Sequence, residues 1–83
     1  DYNAALAFMS ADYNHSALDV LGRLSDHNPK VCYLKAMVLS RLGQLKEAMK
    51  YFELCIAYDP YMEHRANLDP EMHQLVKLRN QPF

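Results

Sequence analysis

Apolar side chains along this chain recur in steps of three and four, the spacing that gathers them on one face of an α-helix. Leu45, Ala48, Met49, Phe52, Cys55 and Ile56 follow that stepping and predict an amphipathic helix over 45–58. Val31, Leu34, Val38 and Leu42 repeat it from Pro29 onward and predict a partner over 29–42, with Gly43 as its left-handed C-terminal stop. The break around Gly43-Gln44 is so short that the second helix must return antiparallel to the first. Three prolines follow a short polar residue, in Asn28-Pro29, Asp59-Pro60 and Asp69-Pro70. Each pair reads as an N-cap and a first helical residue: the side-chain oxygen accepts a free backbone N–H, and proline has none to leave unpaired. After Pro60, the apolar positions Met62, Ala66 and Leu68, then Met72, Leu75, Val76 and Leu78, predict one short helix near 60–67 and another near 70–78. These form a lid over the last hairpin, with Arg79-Asn80-Gln81-Pro82 leading off as a tail.

The pattern also repeats itself. Ala17, Leu21, Leu24 and Pro29 fall on Ala48, Phe52, Cys55 and Pro60 at a shift of 31 residues. A shift of 32 superposes Ala4 on Ala36, Ala11 on Gly43 and Tyr13 on Leu45. The discrepancy predicts an extra residue between Tyr13 and Ala17, in or beside the first turn. Internal repeats of this length are the signature of a solenoid, in which each helix pair buries its apolar face against the next. The expected fold is therefore all-α, an α-solenoid fragment of two antiparallel helix pairs plus a C-terminal capping helical segment. It forms a single domain over 1–83, with repeat one at about 2–28, repeat two at about 29–59 and the cap at about 60–83. Such stacks usually need about three repeats, so two and a lid imply further repeats upstream in a longer chain, or self-association. Asp1 is then expected inside a helix or at its frayed edge.

The stretch from Pro29 to Pro60 carries Ala36, Gly43, Leu45, Ala48, Phe52, Cys55 and Pro60 in an order and spacing that resemble the tetratricopeptide repeat. That family wants a small residue in the first helix, a glycine at the turn, then alanine, a large aromatic, a small residue and proline. Cys32 departs from the pattern where a bulky aromatic is usual, and Lys35 where leucine is usual. Ala4, Ala11, Tyr13, Ala17, Leu21, Leu24 and Pro29 fit less closely, so the resemblance covers 4–60 and is specific in its second half. It implies a non-catalytic scaffold, not an enzyme, that binds a peptide or partner protein on a concave face lined by the first helix of each pair. By that resemblance the partner-binding candidates are Lys30, Tyr33, Met37, Ser40 and Arg41 from the second repeat, with Ala5 and Phe8 from the first. Tyr33, Met37 and Phe8 would supply an adaptable apolar floor, and Lys30 and Arg41 would meet a carboxylate at its edge. The structural alternative is that these residues pack against a neighbouring repeat. Members that bind chaperone tails clamp a terminal carboxylate with an asparagine and basic residues; Tyr33 and Met37 stand at two of those places, which argues against that activity. Homodimerisation through an uncovered face of the first helix, and service as an accessory domain of a longer chain, are the other readings.

Composition narrows the classes further. Lys and Arg total 9 against 10 Asp and Glu, scattered along the chain, so no basic stripe points to nucleic acid. No apolar run approaches the length of about 18 residues that a membrane span requires. His15, His27, His64 and His73 lack the spacing of a helical zinc motif, and no cofactor or metal is expected. Cys32 and Cys55 read as buried small hydrophobes on core-facing positions, with a disulfide as the alternative. No nucleophile elbow, phosphate loop or Ser, His, Asp arrangement is present. The opening Asp1-Tyr2-Asn3 has neither an initiator methionine nor the pattern of a secretory signal, so a mature or trimmed chain is expected and the compartment stays open.

Overall fold

Short polar side chains set the helix starts. In the computed structural model, which describes residues 1–81, Asp1 Oδ1 accepts the Ala4 N–H at 2.8 Å, and Asn28 Oδ1 that of Lys30 at 2.9 Å. Asp59 Oδ1 accepts from Tyr61 N at 3.1 Å, and Asp69 Oδ1 from Glu71 N at 3.0 Å. These bonds open α1 (Tyr2–Ser10), α3 (Pro29–Arg41), α5 (Tyr61–Asn67) and a 3-10 turn (Pro70–Met72) that runs into α6 (His73–Asn80). Asn28-Pro29 and Asp69-Pro70 serve as the sequence predicts; Asp59 accepts a free N–H as expected, but Pro60 stands at the cap position and α5 begins one residue later, at Tyr61. Asp1 does not lie inside a helix or at a frayed edge; it stands outside α1 as its cap. The remaining helices, α2 (Asn14–Gly22) and α4 (Leu45–Tyr58), have no side-chain cap and emerge directly from tight turns.

Those turns are copies of one another. Asp12 at φ 62° and Gly43 at φ 78° both adopt the left-handed conformation. Asp12 N–H reaches Met9 O at 3.0 Å and Tyr13 N–H reaches Phe8 O at 2.8 Å; Gly43 to Ser40 at 3.0 Å and Gln44 to Leu39 at 2.9 Å are their counterparts 31 residues on. The single shift holds through the whole hairpin, and the extra residue predicted between Tyr13 and Ala17 does not exist. Sequence comparison had paired Gly43 with the small Ala11. The backbone instead requires a residue that tolerates positive φ, and aspartate is one of the few besides glycine that does. Asp12 Oδ1 also accepts from Asn14 Nδ2 at 3.1 Å, which holds the turn locally.

With the shift settled, Ala5 corresponds to Ala36 and Ala17 to Ala48, and all four are fully buried. These small side chains let paired helices approach near the short end of the usual interaxial range of about 8–10 Å. Leu21 and the larger Phe52 occupy the next corresponding place. α3 is buried on two sides: Val31, Leu34 and Val38 join α1 and α2 in one apolar cluster, while Cys32, Tyr33, Ala36 and Leu39 join α4 and the C-terminal segment in the other. α1 carries Asn3 and Ala7 where α3 carries Leu34 and Val38, and both are exposed.

Met62, Ala66, Met72 and Leu75 close the second cluster, so α5 and α6 cover the last hairpin. The predicted tail is corrected in part. Arg79 and Asn80 belong to α6, and Arg79 donates through Nε to Glu53 Oε1 of α4 at 3.1 Å and through Nη1 to Glu63 of α5. An ionic tie carries the helix past its last apolar residue, a contact that apolar stepping cannot register. Pro82 lies outside the described residues. Lys35, only 5% exposed, lays its stem in the core, pairs with Asp26 and sits 5.0 Å from the centre of the Tyr51 ring. Cys32 Sγ donates to the Asp26 carbonyl at 3.0 Å, and His27 Nδ1 lies 2.6 Å from the Tyr58 hydroxyl, so the link between the hairpins is pinned to α3 and α4. The described residues form six α-helices and no strand, a helical-repeat fold.

Candidate interaction surface

The first helices of the successive pairs, α1, α3 and α5, stand in one register, and the residues singled out from sequence distribute unevenly over them. Tyr33 is 1% exposed. Its hydroxyl donates to Asp69 Oδ2 at 2.7 Å, and the Arg65 guanidinium lies 4.7 Å from its ring centre. Burial, then the bond to Asp69, raises its pKa well above the ordinary tyrosine range. Tyr33 is therefore a core residue held by the C-terminal segment, and not an open floor. Arg41 donates from Nε and Nη2 to Glu71 Oε2 and Oε1 at 2.9 and 2.5 Å, and from Nη1 to Met9 O and Asn14 Oδ1 at 2.9 and 3.1 Å. Four of its five N–H groups are thus bonded within the chain.

Lys30 is exposed at the start of α3, with no ion-pair partner among the described residues; Met37 and Ser40 are half-buried. Met37 touches both apolar clusters and so lies on the seam between them. Ala5 is fully buried opposite the second helix of its pair and offers no surface. Phe8 packs on the first cluster with its ring edge toward Tyr13 at 6.5 Å, the counterpart of the core residue Leu39. Both displacements follow from the one-residue slip in register made at the first turn. At the correct shift the α1 counterparts of Tyr33 and Met37 are Tyr2 and Leu6, which sequence reasoning missed. Anchoring the comparison on Asp12 instead of Ala11 would have found them.

Carried forward, the same shift puts His64 and Leu68 at the corresponding places after α3. Leu6 is 38% exposed and Leu68 is 73% exposed. Leu6, Met37 and Leu68 therefore occupy one register on or at the end of three successive first helices. Leu68 borders an open depression lined also by Asn67, Asp69, Pro70 and His73. The acids on this side are engaged, Asp69 by Tyr33 and Glu71 by Arg41, whereas Lys30 and Arg65 have no carboxylate partner among the described residues.

The groups that could carry chemistry are dispersed or inert. Among the described residues no three of His, Cys, Asp and Glu gather into a cluster able to hold a metal ion. Cys32 and Cys55 are free and buried. Burial pushes the Cys55 thiol up to about 12, with Cys32 and Asp59 adding to the effect, so it stays protonated and unreactive near neutrality. No helix among the described residues is long and apolar enough to cross a membrane.

Residues 29–62, from the first residue of α3 into α5, match the family model of the tetratricopeptide repeat. Neither the curated proteins nor the solved structures give a significant match.

Proposed function

Given that the chain carries a tetratricopeptide repeat, a module of protein–protein interaction that is typically non-catalytic, we propose that it holds a peptide or partner protein along its inner face. On this reading the contacts are Leu6, Met37 and Leu68, with Lys30 and Ser40 beside them. Division of the chain into a first repeat over 2–28, a second over 29–59 and a cap from 60 onward belongs to the same proposal.

The supporting observation is the pair of exposed leucines in register with Met37. Leu6 and Leu68 stay wet although each lies beside a buried cluster, and single wet leucines are ordinary, but three apolar side chains at one repeating position make a stripe. Lys30 and Arg65, left without carboxylate partners, give that side cationic character. The test is capture of partners by the wild type against a Leu6→Ser, Leu68→Ser double variant, with a thermal melt to establish that the variant stays folded. Loss of specific partners is expected; identical recovery would sink the inner-face reading. Light scattering over a dilution series addresses homodimerisation, because a monomer at every concentration removes it.

A further inference from the structure

In a helical-repeat stack each unit touches only its neighbours, so the two ends are tied through whatever lies between them. Apolar contacts are non-directional and set the angle between units less sharply than hydrogen bonds do. Arg41, at the end of α3, bonds toward both ends at once. Nη1 donates to the Met9 carbonyl at 2.9 Å and to Asn14 Oδ1 at 3.1 Å, on the turn between α1 and α2. Nε and Nη2 donate to Glu71 Oε2 and Oε1 at 2.9 and 2.5 Å, on the 3-10 turn. Among the described residues no other side chain is hydrogen-bonded to both the α1–α2 hairpin and the C-terminal segment.

The fork is rigid and planar while its stem turns about single bonds, so the two turns are oriented against each other through the fork. Asp12 Oδ1 lies 3.9 Å from Nη1 and accepts from Asn14, which holds the first turn in place to receive it. On the other side Tyr33 bonds Asp69 Oδ2 at 2.7 Å, so the 3-10 turn meets α3 at two points about two helical turns apart. The arrangement is made once along the chain. At the shift of 31, Arg41 corresponds to Ser10 before it and to the buried Met72 after it, and neither carries a donor fork.

We propose that Arg41 is a positioning residue: by locking the α1–α2 hairpin to the C-terminal segment across the end of α3, it sets the spacing of Leu6, Met37 and Leu68. That those three receive a partner rests on the inner-face reading above; the lock itself rests on the geometry of Arg41. Arg41 then acts on a partner by aligning the stripe and not by touching it.

The full chain bearing Ser16→Cys and Gln74→Cys takes a nitroxide at an exposed position on α2 and another on α6, while Cys32 and Cys55 are buried and stay unlabelled. Pulsed dipolar electron paramagnetic resonance reads the distribution of distances between the labels. One narrow peak is expected with Arg41 in place. A wider one is expected in Arg41→Lys, which keeps the charge without the fork, and in Glu71→Ala, which frees one edge of it. Glu53→Gln, which weakens a tie of Arg79 within the C-terminal half, is expected to leave the peak narrow. Urea titrations accompany each variant, so that widths are compared only between folded chains, and Glu71→Ala keeps the test open if Arg41→Lys fails to fold. A peak unchanged in Arg41→Lys or in Glu71→Ala, or widened equally in Glu53→Gln, overturns the proposal. The capture experiment on Leu6 and Leu68 is independent: widening without loss of capture in the double leucine variant removes the inner-face reading alone, and loss of capture there without widening removes the lock alone.

Discussion

The hairpins α1–α2 and α3–α4 share one turn and one register and differ in helix length and in what fills them. Both turn through a left-handed residue, Asp12 or Gly43, and both bring two fully buried alanines together. Only the second matches the family model. The reason lies in neighbours. α3 is packed on two sides and needs Val31, Leu34 and Val38 toward α2 as well as Cys32, Tyr33, Ala36 and Leu39 toward α4. α1 is packed on one side, and its equivalent outer positions are Asn3 and Ala7. A residue pattern thus records how many faces a helix must bury, whereas the turn geometry survives without it.

The comparison breaks first at the large interior residue. Phe52→Ala is expected to cost about 3–5 kcal/mol, and Leu21→Ala about 2–3 kcal/mol because fewer elements surround the smaller void. Urea titrations giving the reverse order would refute the claim that the second hairpin is the better packed. Next come the alanines: Ala48→Leu and Ala17→Leu should each lose about 1–3 kcal/mol by overpacking. A thermal melt in which Ala17→Leu matches wild type would mean that the shared register is wrong.

The turns separate the hairpins more finely. Gly43→Ala places a Cβ in left-handed backbone and is expected to cost about 1–2 kcal/mol. Asp12→Ala should cost less than about 1 kcal/mol, since aspartate already bears that strain and only exposed contacts, a bond to Asn14 and a long ion pair with Arg41, are lost. Chemical denaturation of the two variants side by side decides it.

The smallest effect is in alkali. Tyr33 and Cys55 both bind their protons more tightly in the folded chain than in the unfolded one, and both lie in the second hairpin. Their contribution is complete below the unfolded values, about 8.5 for a thiol and about 10 for tyrosine, and is lost as pH rises toward the folded ones. Melts above about pH 9 should fall, and Tyr33→Phe should flatten the part of that fall above about pH 10. An unchanged slope in Tyr33→Phe would show that its hydroxyl is not held as described.

Most of the second hairpin and the three Asx-Pro starts were legible in the sequence because their causes are local: a side chain two residues from the N–H it accepts, an apolar step, a glycine at a stop. The register of the first hairpin was not, because it is fixed by the sign of one φ angle and Asp12 does not advertise it. That single slip carried the candidate residues with it, putting Ala5 and Phe8 where a shift of 31 puts Leu6 and Met9. Tyr33 and Arg41 lie on α3 as expected, but their partners Asp69 and Glu71 sit more than a full helix away in sequence, where no pattern joins them. Arg79 was missed for the same reason.

The Asx-Pro caps have a genetic consequence. Residues 29–59 begin with the proline that follows one cap and end on the aspartate that forms the next. An in-frame tandem duplication of that stretch joins Asp59 to Pro29, and the seam is itself an Asx-Pro start. Lengthening the array then needs no invented linker, and the coding segment behaves as a cassette whose two ends already fit each other.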